Sequence, residues 1–182
     1  MAKENMRTPN AEAQALIVCD MFNDFVKEDA PLEVPAARTI VRDIKQEIQR
    51  ARKNGTPVIY CCDAHKHNDP EFALWPRHAV AGTEGARVIK QLEPREGDYV
   101  VTKTRYAGFY KTSLDTLLKR LGVSRLIITG VATNICILYT AADAYMRGYK
   151  VTIPSRCVAA LTKTEHRFAL LQMKRVFHAE IV

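Results

Sequence analysis

Arg125-Leu-Ile-Ile-Thr-Gly-Val-Ala-Thr-Asn-Ile-Cys136 is the stretch on which the fold turns. It opens with an apolar run of strand length, which Gly130 interrupts. From about Asn134 to Arg147 the pattern is helical, and Gly148 stops it. A buried strand that leads straight into a helix is half of a βα repeat, and the same unit recurs on both sides. Ala15 to Cys19 reads as strand one, followed by a helix over Ala36 to Lys53 with apolar residues at Ile40, Val41, Ile44, Ile48 and Ala51. Asn54-Gly55 ends that helix, since both residues tolerate the left-handed C-cap conformation. Pro57 to Cys62 is strand two, followed by a loop-rich stretch from Asp63 to about Gly82 and a short helix over about Glu84 to Gln91. Tyr99 to Thr102 is strand three, and Ser113 to Leu121 a helix with Leu114, Leu117 and Leu118 on one face. Lys150 to Ile153 is strand five, Thr164 to Arg175 a helix, and Ala179 to Val182 a final edge strand. The alternation predicts a doubly wound, Rossmann-like α/β fold: a mostly parallel six-stranded sheet with helices on both faces.

The chain has 182 residues, 47% hydrophobic and 26% charged, and carries a net charge of +7. That size and balance fit one globular domain over residues 1–182, with residues 1–12 as a flexible or partner-packed tail. The basic residues are scattered and cluster only at helix ends, where cations complement the helix dipole. They predict a solvated surface and no nucleic-acid partner. Five cysteines without a CxxC pair argue against a disulfide scaffold and for a reducing cytoplasm. The polar N-terminus, Met1 to Asn10, lacks a signal segment, and no apolar run approaches membrane-spanning length.

In parallel α/β sheets ligands bind beyond the carboxyl ends of the strands. Asp20 ends strand one, Asp63 ends strand two, Lys103 ends strand three, and the Gly130–Cys136 segment follows strand four. Cys136, at the start of a predicted helix, is placed where the dipole favours a thiolate, whereas a lone cysteine on a helix is ordinarily a small buried hydrophobe. Asp20 can accept the thiol proton and Lys103 can stabilise the anion and orient the base. The backbone N–H groups of Ala132 and Cys136 can then hold a tetrahedral oxyanion. Asp24 reads as a helix-start or hydrogen-bonding residue and not as the base.

A second cluster is Asp63-Ala-His65, with Glu71 and His78 downstream. Aspartate and histidine two apart in extended chain face the same side, and two imidazoles plus a carboxylate suit zinc, iron or manganese. Waters or Glu71 would complete the shell. Histidines of a surface loop are the competing reading. His67 is set aside, and His166 and His178 read as structural or solvated.

On these residues the sequence resembles the isochorismatase-like cysteine hydrolases, and within them the nicotinamidase/pyrazinamidase branch. The matching motifs are Val18-Cys-Asp-Met-Phe-Asn-Asp-Phe25, Asp63-Ala-His65, Trp75-Pro-Arg-His78-Ala-Val-Ala-Gly-Thr83, Lys103, Tyr106-Ala-Gly-Phe109 and Gly130-Val-Ala-Thr-Asn-Ile-Cys136. The resemblance implies Asp20 as base, Lys103 as its partner, Cys136 as nucleophile, and a cis peptide before Ala132. It also implies Asp63, His65 and His78 as ligands of a divalent metal, zinc first, with no organic cofactor, and Glu71 as the nearest counterpart of a further ligand. Phe25 and Trp75 would flank a substrate ring, with Tyr106 nearby. The implied reaction is hydrolysis of a small carboxamide, nicotinamide to nicotinate, by a homo-oligomer, dimer or tetramer. The rivals are a metal-independent hydrolase of carbamoyl or ureido compounds, with Arg105 or Arg77 on a substrate carboxylate, and a non-catalytic binding protein. Isochorismate hydrolysis fits less well, because those enzymes lack the cysteine.

Overall fold

The computed structural model describes residues 13–182; the tail expected over residues 1–12 lies outside them. Six strands run in the order β3 (Tyr99–Lys103), β2 (Val58–Asp63), β1 (Gln14–Cys19), β4 (Arg125–Val131), β5 (Lys150–Ile153) and β7 (Glu180–Ile181), every pair parallel. A seventh, β6 (Val158–Ala159), pairs with the end of β4. The six strands expected from sequence are the continuous path. The two-residue β6 is too short to show any period.

The sheet is buried on both faces, as a parallel sheet with crossover helices must be. Side chains alternate along β1: Ala15, Ile17 and Cys19 enter one core cluster, Leu16 and Val18 the other. The first cluster takes in α3 (Leu114–Arg120), α4 (Leu138–Met146) and α5 (Lys163–Val176). The second takes in α1 (Asn23–Val26) and α2 (Ala37–Lys53). α2 buries Ile40, Ile44, Ile48 and Ala51, and Gly55 takes a φ of +67° just past its end. Thr162 and Glu165 form a capping box that starts α5. Among the described residues no helix is long and apolar enough to cross a membrane.

Two expected helices differ. The stretch 84–91 is not a helix but a series of turns ending in a 3-10 turn, Lys90–Leu92. Its carbonyls are engaged elsewhere: those of Gly85 and Arg87 accept the N–H groups of Asp24 and Asn23. The helix expected from 134 begins instead as a π turn, Thr133–Ile137, before α4 continues it. The strand order reverses at β1: the chain builds outward through β2 and β3 on one side, then returns to place β4 on the other. The crevice beyond that switch point is where such folds bind ligands.

Candidate active site

Asp20 directly follows β1 with a φ of +54°, which turns its carboxylate back over the sheet edge. Asp63 and Lys103 are register partners at the ends of β2 and β3. Gly130, partner of Cys19, has a φ of +111°, and a Cβ there would sit 2.0 Å from the Cys19 carbonyl oxygen. Only glycine lets β4 approach so closely before the chain enters the π turn that carries Cys136. The Val131–Ala132 peptide is cis, as the resemblance implies.

These four elements bring together a fully buried charge cluster. The Lys103 ammonium lies 2.8 Å from Asp20 Oδ2, 2.7 Å from Asp63 Oδ1 and 3.6 Å from Cys136 Sγ. Asp20 Oδ1 accepts the Asp63 N–H at 3.1 Å. Burial, together with the neighbouring Asp63 carboxylate, raises the Asp20 carboxyl to about 6, with Lys103 opposing. Burial works against the Lys103 ammonium, yet Asp20 and Asp63 more than reverse it and hold the pKa above the ordinary lysine value. Cys136 departs from expectation. Burial first, then Asp20, push its thiol well above the usual range, so the resting group is the thiol and not a dipole-stabilised thiolate. Its burial, and then its place beside two carboxylates, outweigh a helix end that begins only at Leu138. Such a thiol reacts only if its proton leaves as it attacks, and Asp20 stands within 4.8 Å to take it.

Beside this floor, ligand atoms of Asp63, His65 and His78 lie within 4.8 Å of one another. His65 is fully buried, and while its Nδ1 pairs with an acidic neighbour, its Nε2 has no hydrogen-bond partner. Nδ1 lies 3.2 Å from Asp69 Oδ2 and Nε2 3.9 Å from Asp63 Oδ1. Buried polar atoms are rarely left unsatisfied without reason, and a cation between Asp63 and the two imidazoles would satisfy this one. His78 bonds the Pro76 carbonyl through Nδ1 at 2.7 Å, which leaves Nε2 for such a cation. Glu71 Oε1 is 4.0 Å from that Nε2, and burial raises the Glu71 carboxyl. The donor set suits zinc.

A narrow cleft opens above. Phe25, Trp75, Tyr106, Ala132 and Cys136 line it together with Asp63, Glu71 and His78. Phe25 packs on the His78 ring at 5.4 Å, and the Trp75 indole donates to the Tyr106 hydroxyl at 3.0 Å. Ile135, inside the Gly130–Cys136 motif, and Leu32, Val34 and Leu161 complete the lining; an apolar residue in a loop reads like any other core residue, so no pattern in the chain marks the last three. The arginines considered for a substrate carboxylate are engaged: Arg105 with Asp69 at 3.1 Å and Glu71 at 3.7 Å, Arg77 with His67 and the face of Phe72. His166 bonds the Thr133 hydroxyl and His178 packs near Tyr145; neither lines the cleft.

A family model described as an isochorismatase domain matches residues 14–181. Among solved structures the chain is similar to nicotinamidase/pyrazinamidase PncA from Bacillus subtilis, with a TM-score of 0.89 and 33% identity over 93% of this chain and 98% of that one. It is similar to N-carbamoylsarcosine amidase from Thermoplasma acidophilum, with a TM-score of 0.85 and 36% identity over 92% and 94%. It is similar also to pyrazinamidase from Pyrococcus horikoshii, solved in complex with zinc, with a TM-score of 0.88 and 31% identity over 93% and 98%.

Proposed function

The chain belongs to the isochorismatase family and is a hydrolase of its C–N-cleaving kind, and on that premise we propose that it hydrolyses a small uncharged carboxamide, nicotinamide to nicotinate and ammonia. One observation carries the reading. The thiol, carboxylate and ammonium meet at the bottom of a cleft whose walls are aromatic and aliphatic, and the cationic groups nearest it are already paired. A substrate with its own carboxylate finds no free partner there, while a flat neutral ring fits between Phe25 and Trp75.

The residues then act as follows. Asp20 takes the Cys136 proton as sulfur attacks the carboxamide carbon, and the oxyanion rests against the N–H groups of Ala132 and Cys136. The tetrahedral adduct collapses with cleavage of the C–N bond, and Asp20 passes its proton to the departing nitrogen, which leaves as ammonia. Water attacks the thioester with Asp20 again accepting a proton. The C–S bond breaks, nicotinate leaves and Cys136 is reprotonated. Lys103 stays charged and holds Asp20 throughout. Asp63, His65 and His78 would hold a divalent cation, zinc in first place with iron or manganese as substitutes, which when bound supplies a Lewis acid for the ring nitrogen of the substrate.

We further place the whole activity in one domain acting in the cytoplasm, supported by five cysteines that are all free and buried. Exposed Tyr139 and Met146 on α4 and Phe168 and Leu171 on α5 support a homo-oligomer; light scattering on the purified protein tells dimer from tetramer. The deciding assay is ammonia release from nicotinamide by zinc-replete protein with Cys136→Ala as the blank. Cysteine-dependent release is expected. Its absence, with turnover of an N-carbamoyl amino acid instead, would replace the substrate assignment.

A further inference from the structure

The proposed chemistry leaves one conspicuous carboxylate unused. Asp24 stands in the first turn of α1, and its Oδ2 accepts the backbone N–H of Ala79 at 2.9 Å. Ala79 is fully buried and holds a φ of +45°, a left-handed conformation that a residue with a Cβ adopts only under constraint. Its carbonyl accepts the His65 N–H at 3.0 Å, and the His65 carbonyl accepts the Ala81 N–H at 2.9 Å. The residue that follows His78 is thus tied at once to α1 and to the strand end that carries His65. α1 grips the same loop further on, where the Asp24 N–H bonds the Gly85 carbonyl at 3.0 Å. A Cβ on Gly85 would fall 2.2 Å from both Asp24 carboxylate oxygens, so the loop is shaped around that carboxylate. The next residue of α1, Phe25, packs its ring against His78.

We propose that Asp24 is a positioning residue that restrains Ala79 in its left-handed conformation and thereby delivers His78 to the cleft. Asp24 itself does not line the cleft. Without its acceptor oxygen, the Ala79 backbone relaxes toward ordinary φ and rotates the preceding residue, His78, away from Asp63 and His65. A carboxylate that merely stabilised the loop would cost stability on removal and leave His78 in place. The two roles separate in one double-mutant cycle, because glycine carries no penalty at positive φ. Ala79→Gly should make His78 independent of Asp24.

The cycle comprises wild type, Asp24→Ala, Ala79→Gly and the double variant, read by zinc affinity in competition with a chromophoric chelator. The zinc readout alone rests on the metal reading above. Loss of a group that orients a ligand typically costs about 10–100-fold in affinity. That loss is expected for Asp24→Ala, with most of it regained in the double variant. Wild-type affinity in Asp24→Ala, or a double variant no tighter than Asp24→Ala, would overturn the proposal. The His78 imidazole signals in nitrogen-15 NMR spectra give a second readout. Should wild type take up no zinc, the metal reading fails and these signals decide. Signals displaced in Asp24→Ala and restored in the double variant sustain the role, and signals unmoved in Asp24→Ala end it. If Asp24→Ala does not fold, Asp24→Leu, which fills the same space without an acceptor oxygen, runs through the same cycle.

Discussion

Asp20, Asp63 and Lys103 stand at strand ends, where the pairing register fixes them, while Glu71, Trp75 and His78 stand on the long connection between β2 and β3. On the strand side every charge faces another: one ammonium touches two carboxylates and the thiol. On the connection, the buried Nε2 of His65 has no hydrogen-bond partner, and Ala79 is held in a strained conformation. The floor of the cleft pairs its charges within itself, one ammonium between two carboxylates, and its wall does not. The difference teaches where each part of the activity would reside. On the proposed reading the reaction machinery is built into the sheet, and the choice of substrate is left to a loop that a cation and a few hydrogen bonds would finish.

The contrast breaks most plainly at the floor. Cys136→Ala is expected to lower amide turnover about ten-thousandfold or more while the thermal unfolding midpoint stays near that of wild type. Substantial residual turnover would remove the sulfur from the reaction. Lys103→Met should be the most damaging change for the fold itself, because it leaves Asp20 and Asp63 buried side by side with no counter-ion. Breaking a buried pair in this way costs about 3–5 kcal/mol, measurable by urea unfolding at neutral pH. A loss below about 1 kcal/mol, the range of an exposed pair, would show that the floor does not depend on its cation.

The wall should respond to metal and the floor should not. Zinc at about a hundred times its dissociation constant stabilises a folded protein by about 2.7 kcal/mol, or about 5–10 °C for a chain of this size. That shift is expected for wild type and for Cys136→Ala alike, and should vanish in His65→Ala. An unchanged midpoint in wild type would mean that no cation satisfies the orphaned Nε2 of His65.

The same division governs what could be read from sequence. Apolar runs alternating with amphipathic helices specify a parallel sheet, and a parallel sheet specifies the edge at which ligands gather, so Asp20, Asp63, Lys103 and Cys136 were legible together. Their protonation states were not. A helix start suggested a thiolate at Cys136, but only the folded chain buries that sulfur, sets it beside two carboxylates and pushes its pKa up. The loop was legible where its residues carry chemistry, at His65, Glu71 and His78, and at Trp75 only through the family resemblance. Leu32, Val34 and Leu161 reach the cleft from segments with no period of their own. The turns at 84–88 imitate a helix because the hydrogen bonds that forbid one come from α1, some 60 residues earlier in the chain.

Arg105→Gln is the mildest change and the one that most sharpens the choice of substrate. Its guanidinium is half exposed and pairs with Asp69 and Glu71 on the outer side of the wall. Partly exposed pairs of this kind contribute about 0–1 kcal/mol, so kcat/KM for nicotinamide should fall by no more than about fivefold, and zinc affinity should weaken slightly as Asp69 loses a partner. In a hydrolase of carbamoyl or ureido acids the same arginine would leave Asp69 to grip the substrate carboxylate. Losing a charged hydrogen bond to substrate costs about 1.5–3 kcal/mol, which raises KM more than tenfold and leaves the neutral amide untouched. Measuring both substrates against this one variant therefore separates the two readings by which substrate suffers and by how much: a small loss on the amide alone keeps Arg105 in the wall, and a large loss confined to the acid moves it into the pocket.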